Sequence, residues 1–295
     1  MRFFRKAVQF ALFLLILCLC FGCRSSYVPL SDVTVLSDGR FSCTFDGVKH
    51  DFIVDAPSVT EGSALVLMLP GYGGTAESFR QDTCFHEEAN KKGYTVVYVT
   101  GAPDPSDSTS STGWNYNGLN TGNNDVEYLV ALASYIHENC HTDSSRCFVI
   151  GFSNGAFMCN RLAIEAQDTF SAVVSVSGSM QTTAWEERPR SLNMGLLQIT
   201  GQKDEAIPKL SDNSAKYSTA PAVEIVIDYF VSANGLETID TATIGKSSTI
   251  ERYGSNKTKK QVWHVLVSDG RHSWSAEDLT GIDTNKLILD FLETQ

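Results

Sequence analysis

The stretch Gly151-Phe152-Ser153-Asn154-Gly155 decides which fold we predict for this chain. It follows directly on the apolar run of residues 147–150 and precedes a helix-forming segment. The pattern Gly-x-Ser-x-Gly is common by chance, but its two glycines here permit a sharp turn where strand and helix nearly touch. The sequence therefore predicts that Ser153 stands exposed on a tight strand-to-helix turn, where a hydroxyl group can act as a nucleophile. An ordinary strand-turn-helix connection is the alternative.

Apolar runs and helical patterns alternate along the rest of the chain. Continuous apolar runs are typical of strands buried on both faces of a parallel sheet, and they cover residues 64–69, 95–99, 147–150, 172–176, 195–199 and 262–267. Alternating segments predict a hairpin of edge strands at 41–45 and 49–54. Helical patterns cover 75–91, 125–138, 154–167, 222–233 and 284–293. Together they predict an α/β domain with a doubly wound, mostly parallel sheet of about eight strands and helices on both faces.

The N-terminal residues have the composition of an export signal. Arg2, Arg5 and Lys6 precede an apolar run that ends at Gly22 and is short for a membrane span. The following Cys23 resembles the lipidated cysteine of a bacterial lipobox. We therefore expect a signal peptide at 1–22, a linker at 23–40 and a single catalytic domain at 41–295. The protein would be exported, either secreted or lipid-anchored at the cell surface through Cys23, and it would contact membrane only through that anchor.

Charge and cysteine content restrict the partners. A formal net charge of -11 argues against nucleic acid as a partner, because a polyanion would be repelled. Cys140 and Cys147 bracket a predicted turn and are candidates for a disulfide; small buried hydrophobic residues are the alternative. No cluster has the spacing of a metal site, so we expect no metal.

A nucleophilic serine needs a base to accept its proton and an acid to orient that base. His264 lies inside a predicted strand, whereas His272 follows the last predicted strand in a loop, so His272 is the candidate base. Asp204 follows the strand at 195–199 and is the candidate acid, with Glu205 as its nearest competitor. The order serine, acid, histidine is the one expected for this arrangement of strands.

Two further sets of residues surround the predicted nucleophile. The backbone amides of Asn154 and of Tyr72, in the glycine-rich segment at 70–74, are candidates for an oxyanion hole, although that segment also suits an ordinary turn. Residues 101–122 and 236–260 are polar and predict long surface loops. The first loop carries Trp114 and Asn115, and an aromatic side chain there suggests either a substrate-binding wall or a pin that holds the loop.

These motifs, with Gly270-Arg271-His272-Ser273-Trp274, resemble the secreted α/β-hydrolases that include polyhydroxybutyrate depolymerases, feruloyl esterases and acetylxylan esterases, among them the first carbohydrate esterase family. The resemblance implies an α/β-hydrolase fold, with Ser153, Asp204 and His272 as the triad and Tyr72 and Asn154 at the oxyanion hole. It also implies that Trp274 flanks the pocket. Pro70 and Thr200 stand where the family usually has histidine, although neither change removes a catalytic atom.

The resemblance implies a serine esterase that needs no cofactor. A feruloyl or acetyl ester on plant polysaccharide is the expected substrate, because Trp114, Asn115 and Trp274 could contact an aromatic or sugar ring. The alternatives are a polyhydroxyalkanoate depolymerase, a peptidase on the same fold, and a surface lipoprotein that binds glycans without turnover.

Overall fold

A computed structural model describes residues 29–37, 39–105, 107–118, 123–207, 209, 220–274 and 277–295. The predicted signal peptide, Cys23 and the first part of the predicted linker lie outside these residues. Within them, no helix is both long and apolar enough to cross a membrane.

The strands of the large sheet are β1 (Ser31–Ser37), β2 (Arg40–Phe45), β3 (Val48–Asp55), β4 (Ala64–Leu69), β5 (Tyr94–Val99), β8 (Asp143–Phe152), β9 (Ala172–Val176), β10 (Gly195–Gly201), β11 (Glu237–Ile244), β12 (Ser248–Gly254) and β13 (Val262–Val267), while β6 (Ala102–Pro103) pairs separately with β7 (Thr112–Gly113). The large sheet has the order β1-β2-β3-β5-β4-β8-β9-β10-β13-β12-β11. Strands β5, β4, β8, β9, β10 and β13 are parallel, and the outer strands are antiparallel. The carboxyl ends of the parallel strands therefore meet at one edge, where ligands bind in such sheets.

The helices are α1 (Ala76–Thr83), α2 (Phe85–Lys91), α3 (Asp125–Cys140), α4 (Asn154–Glu165), α5 (Thr182–Glu187), α6 (Val223–Asn234), α7 (Glu277–Thr280) and α8 (Thr284–Leu292). They cover both faces of the sheet. Leu65 and Leu67 of β4 pack in the layer with α3, α4 and α6, whereas Val66 and Met68 pack in the layer with α1, α2 and α8. Every residue of β4 is buried, which explains its continuous apolar sequence.

Within the described ranges, the sheet has eleven strands rather than about eight. Residues 236–260, predicted as a loop, contain the antiparallel pair β11 and β12. The side chains of β11 are mostly exposed, so this edge strand lacks the apolar alternation from which a strand is predicted. Strand β1 likewise lies inside the segment predicted as a linker and pairs with β2.

The helix predicted at 75–91 is two helices. The helical conformation is interrupted at Cys84, because its φ of 46° is left-handed. Helix α1 therefore ends before Cys84, and α2 begins after it. The helical periodicity continues across this break, and only the local backbone conformation separates the two segments.

The predicted disulfide between Cys140 and Cys147 is wrong. Both are free thiols. Cys140 ends α3, whereas β8 already begins at Asp143 and not after the expected turn. Cys147 is buried in the sheet, where it pairs with Leu65 of β4, whereas Cys140 is only half-buried at the end of α3. Burial instead raises the pKa of the Cys147 thiol.

Candidate active site

Ser153 lies on a strained turn between β8 and α4. Its φ of 51° and ψ of -115° belong to a conformation that residues with a Cβ rarely adopt. The flanking glycines are required by contact as well as by conformation: a Cβ on Gly151 would lie 2.2 Å from the Gly155 carbonyl oxygen, and a Cβ on Gly155 would lie 2.2 Å from that of Leu69. The amide of Ser153 donates to the Val176 carbonyl at 3.0 Å, which ties the turn to β9.

The structure brings Ser153, His272 and Asp204 into one hydrogen-bonded chain. Nε2 of His272 lies 2.8 Å from Oγ of Ser153, and Nδ1 lies 2.9 Å from Oδ2 of Asp204. An ionised carboxylate can only accept, so Nδ1 carries the proton and Nε2 is free to accept the serine proton. His272 is exposed, and the centre of its ring lies 5.4 Å from that of Phe152.

Asp204 is ionised although it is buried. Asp204 is 1% exposed, and burial by itself would raise the pKa of its carboxyl group. The hydrogen bonds from His272 and from the Ala206 amide at 2.9 Å, together with the positive charge of Lys209, outweigh burial and lower the pKa below its ordinary value. Glu205, its competitor in the sequence, is exposed.

Two glycines bring the loops of Asp204 and His272 into contact. A Cβ on Gly201 would lie 2.5 Å from the carbonyl group of Gly270. The amide of Lys203 donates to the Gly270 carbonyl at 2.8 Å, and the side chain of Lys203 pairs with Asp269. Gly270 belongs to a motif that carries the family resemblance, but nothing in the sequence indicated that it packs directly on Gly201.

Tyr72 and Asn154 lie on either side of the nucleophile. Asn154 is the first residue of α4, so its amide is one of those that a helix leaves free. Among the described residues, the Tyr72 amide meets no acceptor, whereas that of Gly73 donates to Thr112. The loop is close to Ser153, because a Cβ on Gly71 would lie 3.4 Å from the Ser153 Cβ. The two amides remain the candidate oxyanion donors predicted from the sequence.

The residues predicted to bind substrate have different environments. Trp114 is only 5% exposed, and its indole nitrogen donates to the Pro70 carbonyl at 3.0 Å, so its ring is not an open aromatic wall. Asn115 is also held internally: its amide donates to Asp125 at 2.6 Å. Trp274 is half-buried beside His272, with its indole nitrogen 3.2 Å from Asn285 Oδ1. Trp114 and Asn115 still line a cavity beside Asn154, so their contact with substrate stays a prediction.

Two cavities flank the hydrogen-bonded chain. One of about 190 Å³ has a lining of aromatic rings and polar groups that includes Tyr72, Trp114, Asn115, Tyr116 and Asn154. The other, of about 320 Å³, is lined mainly by apolar groups around His272, including Ile199, Val267, Trp274, Leu279 and Ile282. Among the described residues, no group of acidic, histidine and cysteine side chains could hold a metal ion.

A serine on a strand-to-helix turn, followed by acid and histidine beyond later parallel strands, defines the α/β-hydrolase fold. Comparisons agree. The profile of the prolyl oligopeptidase family matches residues 88–231. The acetyl xylan esterase from Aspergillus awamori superposes with a TM-score of 0.62 at 12% identity, over 87% of this chain and 99% of that one. The protein thus has the predicted α/β-hydrolase fold.

The chain is similar in sequence to curated proteins that are named as esterases. NocK of Nocardia uniformis subsp. tsuyamanensis, which is named as a candidate esterase, is 27% identical over 245 residues, covering 79% of this chain and 64% of NocK. Feruloyl esterase B of Neurospora crassa is 30% identical over 123 residues, 39% of each chain. The chain thus spans less than two thirds of either relative. The resemblance to the α/β-hydrolase esterase group, predicted from the motifs, is confirmed.

Proposed function

We propose that this protein is a serine hydrolase that cleaves carboxylic esters by acyl transfer. The observation that carries the proposal is the chain Ser153–His272–Asp204, with distances of 2.8 Å and 2.9 Å and with its acid held ionised in a buried position. In that geometry a serine hydroxyl is activated by an oriented base. The similarity to proteins named as esterases supports an ester rather than another acyl substrate.

The proposed mechanism follows from these positions. As Ser153 attacks the ester carbonyl, Nε2 of His272 accepts the serine proton and Asp204 stabilises the imidazolium. The amides of Tyr72 and Asn154 donate to the oxyanion of the tetrahedral intermediate. His272 then protonates the leaving alkoxide, activates a water molecule that attacks the acyl-enzyme, and returns the proton to Ser153. No cofactor enters these steps.

The favoured substrate is a feruloyl or acetyl ester on plant polysaccharide. The polar cavity with the Tyr72 and Tyr116 rings suits a hydroxylated ring, and the apolar cavity beside His272 and Trp274 suits an acyl or aromatic group. The names of the curated and structural relatives point to the same substrates. A polyhydroxyalkanoate is the second choice. We further propose an exported protein, secreted or anchored through Cys23, with a single catalytic domain.

A peptidase on the same fold is a second candidate function. The match to the prolyl oligopeptidase family favours it, and the same nucleophile, base and acid can cleave an amide. Initial rates on methyl ferulate, acetylated xylan, short polyhydroxybutyrate and a proline-containing peptide amide separate the two. A kcat/KM for the peptide above that for every ester would overturn the esterase proposal.

Labelling with a fluorophosphonate tests whether the site is active. We expect a single modified peptide that contains Ser153, and no labelling of the Ser153→Ala variant. Ser153→Ala and His272→Ala should each lower kcat by a factor on the order of 10⁶, and the double variant should fall little further, because the residues act as a unit. A folded protein that is neither labelled nor active on any ester would instead support the glycan-binding alternative.

A further inference from the structure

Trp114 joins the two segments that hold the candidate oxyanion amides. Its backbone amide donates to the side-chain Oδ1 of Asn154 at 2.8 Å, and its indole Nε1 donates to the carbonyl oxygen of Pro70 at 3.0 Å. Asn154 follows β8 and Pro70 follows β4, and these two strands are neighbours in the sheet. One residue therefore bridges the ends of both strands at the point where the nucleophile stands.

Further contacts attach the residues around Trp114 to the Tyr72 loop. The amide of Gly73 donates to the Thr112 carbonyl at 2.7 Å, and the Thr112 hydroxyl donates to the Gly74 carbonyl at 2.8 Å. The ring of Tyr72 lies against Gly113, where a Cβ would come within 3.0 Å of it. The loop with the Tyr72 amide thus rests on residues 112–114 along its whole length.

The far side of Trp114 is held by helices. The Asn115 amide donates to Asp125 on α3 at 2.6 Å, and the Asn115 carbonyl accepts from Arg161 on α4 at 2.5 Å. The carbonyl of Asn117 accepts from the Thr183 hydroxyl on α5 at 2.6 Å. These anchors fix the position of Trp114 relative to the rest of the domain.

We propose that Trp114 is a positioning residue that holds the amides of Tyr72 and Asn154 at the distance an oxyanion requires. An oxyanion hole acts through donors that are in place before charge develops, and a displacement of about 1 Å can lower the rate about 100-fold. The Tyr72 amide lies on a glycine-rich loop with little rigidity of its own. The indole ring is 5% exposed and its N–H group is bonded within the protein, as a positioning role requires. The inference rests on the proposed ester hydrolysis at Ser153.

The test removes the indole N–H group and keeps an aromatic ring. In Trp114→Phe, the Pro70 carbonyl loses its donor, which removes one of the contacts that hold the Tyr72 loop in position. We expect kcat for p-nitrophenyl acetate to fall on the order of tenfold while KM stays within about twofold, because the lost interaction acts in the transition state. The Ki of an aryl trifluoromethyl ketone should rise by the same factor, because Ser153 attacks its carbonyl carbon and the resulting hemiketal oxygen carries the negative charge that the two amides bind. Rates are divided by the concentration of active sites, which is measured by fluorophosphonate labelling that is allowed to go to completion.

Trp263→Phe is the matched control. Trp263 is 7% exposed and donates its indole N–H to Gln261 at 2.8 Å, but it lies in β13 away from the carboxyl edge. The Trp263→Phe variant should lose about as much stability as Trp114→Phe, with no change in kcat or Ki. If Trp114→Phe does not fold, Asn154→Ala replaces it, since this change cuts the other link and keeps the backbone amide; the same tenfold loss is expected.

The outcomes separate this inference from the proposed function. An active wild-type protein whose Trp114→Phe variant keeps its kcat and Ki per active site overturns the positioning role alone. A rise in KM without a change in Ki also overturns it, because that pattern indicates a substrate contact. A wild-type protein that hydrolyses no ester overturns the proposed function, and this inference with it.

Discussion

Two aspartates, Asp204 and Asp125, are each 1% exposed, yet the pKa values of their carboxyl groups are shifted in opposite directions. Asp204 receives a hydrogen bond on each oxygen, from His272 and from the Ala206 amide, and its pKa is lowered. Asp125 receives one, from the Asn115 amide, while its Oδ1 finds no partner among the described residues. Burial raises the pKa of Asp125 to about 6, against the amide of Asn115 and the charge of Arg161.

The difference shows that burial alone does not decide the charge of a carboxylate. Desolvation opposes ionisation at both positions, and the number of donors determines the net direction. Asp204 is built to stay charged beside a histidine that becomes charged during the proposed reaction. Asp125 serves as an acceptor for a backbone amide, a task that needs an oxygen but no full charge.

Replacing each carboxylate by an amide gives the largest expected contrast. Asp204→Asn should lower kcat about 10⁴-fold, because an amide can no longer hold His272 in the tautomer that accepts the serine proton. Asp125→Asn keeps an acceptor for Asn115 and should lower kcat at most about threefold. Steady-state hydrolysis of p-nitrophenyl acetate measures both.

Glu205→Gln serves as the control for this prediction, since Glu205 is the neighbouring, exposed carboxylate. It should keep full activity. Full activity in Asp204→Asn with a large loss in Glu205→Gln would show that the acid has been assigned to the wrong residue.

The contact between Gly201 and Gly270 gives an intermediate effect. In Gly270→Ala, the new Cβ would lie 2.8 Å from the Val267 Cβ and 2.9 Å from the Gly201 Cα, so the His272 loop must move away from the Asp204 loop. We expect kcat to fall about 10- to 100-fold and the free energy of unfolding to fall by about 1–3 kcal/mol. Kinetics and urea unfolding measure the two quantities.

Gly62→Ala provides a comparison at the other edge of the sheet. Gly62 has a φ of 71°, and nothing lies within 4 Å of a Cβ there. The backbone strain should lower stability without affecting kcat. If Gly270→Ala loses stability and keeps its kcat, the glycine contact does not position His272.

The smallest effect concerns stability. The folded pKa of Asp125, about 6, exceeds the ordinary value of 3.8, so this group favours the folded state less as pH rises through that interval. Ionised Asp125 then costs up to about 3 kcal/mol at pH 7.5, at about 1.4 kcal/mol per pKa unit. Asp125→Asn should therefore raise the free energy of unfolding by about 1–3 kcal/mol at pH 7.5 and leave it unchanged at pH 4 and below.

Asp204→Asn should shift stability in the opposite direction. Its lowered pKa means that the carboxylate stabilises the fold above the unfolded pKa of 3.8, and that this contribution is lost as pH falls through the folded pKa. Urea unfolding of both variants at pH 7.5 and pH 4 checks the pair. A gain for Asp125→Asn that persists unchanged at pH 4 would contradict the ionisation argument.

Most of the central sheet was predictable because its strands are buried on both faces. Continuous apolar runs such as the one in β4 are typical of strands in that position, and the predicted helices between them fixed the parallel direction of the strands. Segments without a buried face escaped prediction. Strand β11 is polar and exposed, and the break at Cys84 depends on one left-handed residue inside a helical pattern.

The sequence also indicated which side chains meet at the site, since the chain order of serine, acid and histidine follows the strands. It did not indicate how Trp114 is used. An aromatic residue in a polar loop suits a substrate wall and an internal brace equally well, and only the tertiary structure shows the partners of its two N–H groups.

The sequence by itself thus determined the α/β-hydrolase fold, the turn at Ser153 and the candidates Asp204 and His272, because strand burial and glycine turns leave local patterns along the chain. The tertiary structure decided the pKa directions of Asp204 and Asp125, the contact between Gly201 and Gly270, and the bridging position of Trp114. Each of these depends on atoms from segments far apart in the chain, whose distances no local pattern encodes.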